Sequence, residues 1–157
     1  MGESALKLDP EEWDGMWLLS DDDLVIFNVV SPDDGLIKAS FLERGESVPV
    51  LKHSTIYIRE ADGWVFISMA RESEGTPDVV GYSWGRLKKY GNTLIVWMPD
   101  HDKFEHLVDE GMLPGDTRST DVHLGVLESS HYALITSEGR GVLFDWDNPI
   151  IFRRPRE

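Results

Sequence analysis

The residues best equipped for chemistry lie in "DHDKFEH", residues 100–106. Imidazole and carboxylate together suit zinc or a similar cation. On a helix, His101 and Glu105 share a face at i, i+4, and so do Asp102 and His106. No third histidine stands at matching spacing; His123 or His131 would have to arrive from another element. A solvated acidic helix face demands less, so no metal ligand is assigned. "SDDD", residues 20–23, has the oxygen chemistry of half a calcium loop. It lacks the spaced ligands, central glycine and distal glutamate that such a loop needs, and it reads as a turn. Asp145, between Phe144 and Trp146, is the best candidate for an acid with a raised pKa. Its place before Asn148 and Pro149 reads instead as the start of a turn. "GYSWG", residues 81–85, spells G-x-S-x-G, but it falls inside a strand-like run rather than at a strand-to-helix turn and is not read as a nucleophile elbow; the chain has no phosphate loop. Cysteine is absent, which removes thiolate nucleophiles, thiolate metal sites and disulfides together. No catalytic residue and no cofactor is assigned, and an enzyme is the less favoured class.

The elements that must position any site are short. Apolar runs such as "DLVIFNVV", "STIYIRE", "GWVFISMA", "NTLIVWMP", "DVHLGVLE", "HYALITS" and "GVLFDW" alternate with "SPDDG", "EADG", "YGN" and "SEGRG". These separators carry the Gly, Asn, Asp, Ser and Pro of tight turns. The pattern predicts an all-β, antiparallel, up-and-down barrel of roughly eight to ten strands. One segment departs from it. Phe104, Leu107 and Val108 recur at i, i+3 and i+4, with Asp100 or Asp102 before them and Gly111 and Pro114 after. That predicts one short helix at residues 102–110. The 157 residues suit a single domain, 1–157, with residues 1–11 an irregular N-terminal segment.

A formal charge of −14 repels phosphate backbones and anionic membranes, so neither nucleic acid nor membrane is an expected partner. The longest apolar runs are of strand length, too short for a membrane helix. The polar start "MGESALKLDP" is unlike a signal peptide. A complete chain is therefore expected in the cytoplasm; one trimmed of a leader would be exported or periplasmic. Homo-oligomers are left open.

Both faces of the central strands are apolar. Trp64 and Phe66 oppose Val65, Ile67 and Met69; Ile95 and Trp97 oppose Leu94, Val96 and Met98. A sheet with one wet face would not look like this. A barrel or sandwich with a further layer outside it would, and so would a barrel whose outer face packs on a helix or another subunit.

Near the N-terminus, Gly15-Met16-Trp17 is a G-x-W at the mouth of the first long strand, and the closing strand carries Arg153 and Arg154. In this pair of motifs, in size and in strand pattern, the chain resembles the lipocalins and the wider calycin superfamily. The resemblance implies a barrel closed at one end, with Trp17 as the plug and a late arginine stacked across it. If Ile150 and Phe152 face inward, alternation selects Arg154; otherwise it selects Arg153. The chain departs from the family in three ways, the first being that the family's middle motif, an acidic residue near a tyrosine in a turn, has no counterpart. Its helical segment precedes several further apolar runs, and no disulfide can form.

The resemblance also implies a small, often apolar ligand in the lumen. Tyr82, Trp84 and Arg86 alternate onto one face of their strand, opposite Gly81, Ser83 and Gly85. With Trp64, Phe66 and Trp97 they are the expected ligand-binding set, an aromatic pocket with one cation. Whether side chains fill the lumen is left open. The leading expectation is a non-enzymatic barrel that binds a small apolar or amphipathic molecule. The alternative is an acidic interaction module of inhibitor or immunity type, steered onto a basic partner. The third is a calycin-like enzyme with a metal near His101 and His106.

Overall fold

A computed structural model describes residues 1–19, 23–43, 49–71, 81–117, 121–137 and 143–155. Apart from Asp23, the turn expected at residues 20–23 lies outside the described residues, as does the "SEGRG" turn apart from Ser137.

The chain opens with a two-residue strand β1 (Ser4–Ala5) and a one-turn helix α1 (Pro10–Trp13). A meander follows: β2 (Gly15–Leu19), β3 (Leu24–Ser31), β4 (Leu36–Glu43), β5 (Val50–Ala61), β6 (Trp64–Arg71), β7 (Gly81–Tyr90) and β8 (Thr93–Trp97). The chain then leaves the sheet through α2 (His101–Asp109), a small ribbon of β9 (Gly115–Asp116) and β10 (His123–Leu124), and α3 (Ser129–Thr136). It returns as β11 (Ile150–Arg153), which inserts antiparallel between β8 and β2. Because β5 also pairs with β6, the eight strands β2–β8 and β11 close into an antiparallel barrel, with β1 added beside β5. Closure removes the unpaired edges that an open sheet would expose.

Two apolar cores result, one on each face of the strands. Trp17, Phe27, Ile37, Ile58, Leu87 and Leu94 are buried inside the barrel. Phe66, Phe104, Leu107, Tyr132, Ile135 and Phe144 are buried outside it, where α2 and α3 lie over β6, β7 and β8. This outer layer explains why the central strands are apolar on both faces.

The helix at α2 matches the expected periodicity, one residue earlier than the expected bounds. The Asp100 side chain accepts from the Lys103 N–H, and Gly111 lies beyond the end with φ 70°. The expectation of a single helix needs correction. "HYALITS" forms most of α3 rather than a strand. Tyr132, Ile135 and Thr136 are buried at i, i+3 and i+4 against the outer core. Glu128 and His131 cap one another's backbone at its start, with the Glu128 N–H donating to His131 Nδ1 at 2.9 Å. "DVHLGVLE" supplies only the two residues of β10, and the described part of "GVLFDW" makes one bridge, Phe144 to Pro99. Tertiary packing on the barrel overrides the β-branched composition of these runs.

Candidate functional site

The barrel is plugged at one end by the N-terminal segment. Asp9 caps α1, Pro10 sits in its first turn, and the helix delivers Trp13 into the core. Trp17 follows in β2, fully buried, and its indole N–H donates to the Trp13 carbonyl at 3.0 Å. Gly15 has φ 115°, and a Cβ there would meet nothing within 4 Å. The position therefore requires glycine for backbone conformation, and close passage of the chain is not the reason. Ile150 and Phe152 pack on the inner core, so alternation brings Arg154 to the plug while Arg153 is exposed on the other face. Arg154 Cζ lies 5.0 Å from the Trp17 ring centroid. Its guanidinium donates to the carbonyls of Asp14 at 2.9 Å and Glu11 at 3.3 Å. Lys89, reaching inward from β7, pairs with Glu12 at 2.8 Å and ties α1 to the barrel. That contact holds the Glu12 carboxyl below the usual carboxylate range.

Above the plug the lumen is open, with a cavity of about 410 Å³. Its walls include Phe27, Ala39, Ile56, Ile67, Val96 and Phe152. Leu24, Leu42 and Met69 stand at its rim and are partly exposed. Asp23 and Ser83 are the polar side chains among the described lining residues. Small residues make the room. Ser83 and Gly85 present the inner face of β7, and Ala39 that of β4.

Most of the expected ligand-binding set sits elsewhere. Trp64, Phe66, Trp84 and Trp97 turn outward and pack against α2, α3 and the segment around Phe144. Trp84 meets Phe104 edge-on at 5.3 Å and Phe144 at 5.9 Å, and Trp97 meets Trp146 at 5.4 Å. Trp84 also borders the cavity. Arg86 stacks on Trp64 outside the barrel, and Tyr82 is half exposed against Tyr57. The structure thus brings five of the six together, in the layer outside the barrel. The lumen residues that went unassigned, such as Phe27, Ala39 and Phe41, had a legible signal. They alternate with Asn28, Lys38 and Ser40, whose polarity marks the outer face.

The remaining chemical candidates are modest. Ligand atoms of His101, Asp102 and Glu105 lie within 4.8 Å of one another at the start of α2, with the first two residues exposed. His106 contacts Glu110 at 3.3 Å rather than Asp102. Asp145 accepts the Asn148 amide at 3.1 Å on both oxygens, the turn contact its position suggested. Compared with known proteins, the chain matches no family model, no curated protein and no solved structure.

Proposed function

We propose that the chain is a non-enzymatic binding protein that holds a small apolar or amphipathic molecule in the barrel lumen. The observation that carries this reading is the cavity of about 410 Å³ above the plug, walled by aliphatic and aromatic side chains. Its size falls within the usual range of ligand pockets, and such sites are mostly apolar with few polar groups. The likeness to lipocalins adds support through the G-x-W at Gly15–Trp17 and through Arg154 over the indole. Membership of that family is part of the proposal. Burial of apolar surface drives the binding, so affinity is nearly independent of ionic strength.

Native mass spectrometry of gently purified protein, with organic extraction of the same sample, tests this. A reproducible extra mass, matched by an extracted small molecule and absent from Ala39→Phe, is the expected result. A bare chain mass, together with uptake of an apolar fluorophore that Ala39→Phe leaves unchanged, would remove the lumen as the site.

A second reading draws on charge. At −14, the chain suits an acidic module that masks a basic partner. Capture of a basic protein, lost steeply as salt rises, would favour it over the lumen.

A further inference from the structure

The arginine–tryptophan cluster outside the barrel has chemistry that the lumen does not use. Arg86 Cζ lies 3.4 Å from the Trp64 ring centroid, 5.1 Å from Trp146 and 5.9 Å from Trp97. Stacking occupies the faces of the guanidinium and leaves its in-plane N–H donors available. Among the described residues no carboxylate or carbonyl pairs with Arg86; its partners are the three rings and, electrostatically, the Tyr90 side chain. Burial lowers its pKa from the ordinary value, yet a guanidinium keeps its proton at neutral pH. Lys88 follows on the same face, exposed and without an ion pair among the described residues. Lys89, on the opposite face, is neutralised by Glu12. Two cations side by side with no carboxylate partner among the described residues are out of keeping with a chain of charge −14.

Both cations line a cleft of about 350 Å³ at the plugged end, with Trp13, Trp64 and Tyr90. Gly63 stands at its edge in the turn between β5 and β6, where a Cβ would meet nothing within 4 Å. The cleft and the lumen cavity share no lining residue.

We infer that this cleft is a second ligand site, built for a small aromatic carboxylate. Arg86 supplies the planar fork that matches a carboxylate bidentately, and its tryptophan stack holds the fork rigid. Trp64 and the exposed Tyr90 offer rings to a flat apolar body. Lys88 adds charge at the mouth. A phosphate dianion fits less well, because one fork cannot satisfy it and the Glu12 carboxylate lies beside Lys89. The inference does not depend on the lumen reading.

Calorimetric titration of the full chain with naphthalene-2-carboxylate and with its neutral amide tests the site. The carboxylate is expected to bind at least about tenfold more tightly than the amide, the scale of one charge-assisted hydrogen bond. Arg86→Gln should weaken carboxylate binding about ten- to a hundredfold. Arg86→Lys keeps the charge but loses the fork, and should weaken it about tenfold. Lys88→Gln should weaken it about two- to threefold and flatten its salt dependence. Unfolding midpoints report whether each variant folds. Equal binding of carboxylate and amide to the unmodified chain would overturn the inference. So would the absence of saturable carboxylate binding up to about 10 mM, the range of the weakest specific ligands, or wild-type affinity in a folded Arg86→Lys. Should the Arg86 variants not fold, the carboxylate–amide comparison and the exposed Lys88→Gln decide.

Discussion

Replacing Trp17 by alanine is the sharpest test of the plug. The side chain is fully buried, so its removal forfeits the transfer energy of an indole and leaves a cavity beneath the lumen. Large-to-alanine changes of this kind cost about 3–5 kcal/mol. Two further losses are specific to this site. The hydrogen bond to the Trp13 carbonyl disappears, at about 0.5–1.5 kcal/mol, and the Arg154 guanidinium loses its ring, at about 0.5–1 kcal/mol. These overlap with the burial term, so about 4–5 kcal/mol is expected for the whole change. A domain of this size has about 5–15 kcal/mol in total, so the variant sits near the edge of folding. Urea unfolding followed by far-ultraviolet circular dichroism measures the cost. With a slope of about 2 kcal/mol per molar, the midpoint should fall by about 2 M. Trp17→Phe keeps most of the ring and loses the N–H, so it should cost about 1–2 kcal/mol. A loss below about 1 kcal/mol for Trp17→Ala is the scale of surface changes, and it would refute the plug.

Arg154→Met keeps an apolar stem but leaves the Asp14 and Glu11 carbonyls without their donor; urea unfolding should show a loss of about 1–3 kcal/mol, with Arg153→Met near zero. Gly35→Ala must adopt φ 64° and bring a Cβ to 2.2 Å from the Ile58 carbonyl oxygen. It should lose about 2 kcal/mol or more in the same assay, combining left-handed strain with a backbone clash. Asp100 has its carboxyl pKa lowered by the Lys103 side-chain hydrogen bond, so its folded value lies below its unfolded one. Its stabilisation is present above the unfolded value and is lost as pH falls through the folded one. Thermal unfolding of Asp100→Asn should therefore depend less steeply on pH than wild type below about pH 4, the ordinary carboxylate range.

How far the fold could be read from the residues follows from which signals were local. Turn chemistry at "EADG" and "YGN" marks tight connections, and the structure has turns at Asp62–Gly63 and Gly91–Asn92 between paired strands. The α2 stripe was legible because Phe104 and Leu107 recur at helical spacing beside polar neighbours. The α3 segment was not. Its eight residues carry apolar and polar groups on every side, so periodicity could not separate helix from strand. Its helical state depends on the Glu128–His131 cap and on a surface supplied by distant strands. The plug drew on the two chain ends at once. Trp17 and Arg154 are far apart in sequence, and only closure of β11 onto β2 brings them together.

The lumen required one further fact, and it was nonlocal. A strand has two faces, and shifting inside to outside exchanges every side chain at once. In β6 and β8 both faces are apolar, and β7 carries polar side chains on both, so hydrophobicity cannot tell lumen from outer layer. Size can. An enclosed lumen with room for a ligand needs small groups on its inner face, and β7 places Ser83 and Gly85 there, opposite Trp84 and Arg86. At Gly85 even a Cβ would come within 2.6 Å of the Trp97 carbonyl oxygen. The large rings then have only one place to go, the face that helices can cover. The register fixes the rest: Ile67 stands opposite Gly85 and Leu87 opposite Val96, which continues one inner face across three strands. Polar partners on the far side of the barrel, Lys38 and Ser40, assign the same face independently. In a barrel clad on one side, the strands without cladding reveal which way the clad strands point.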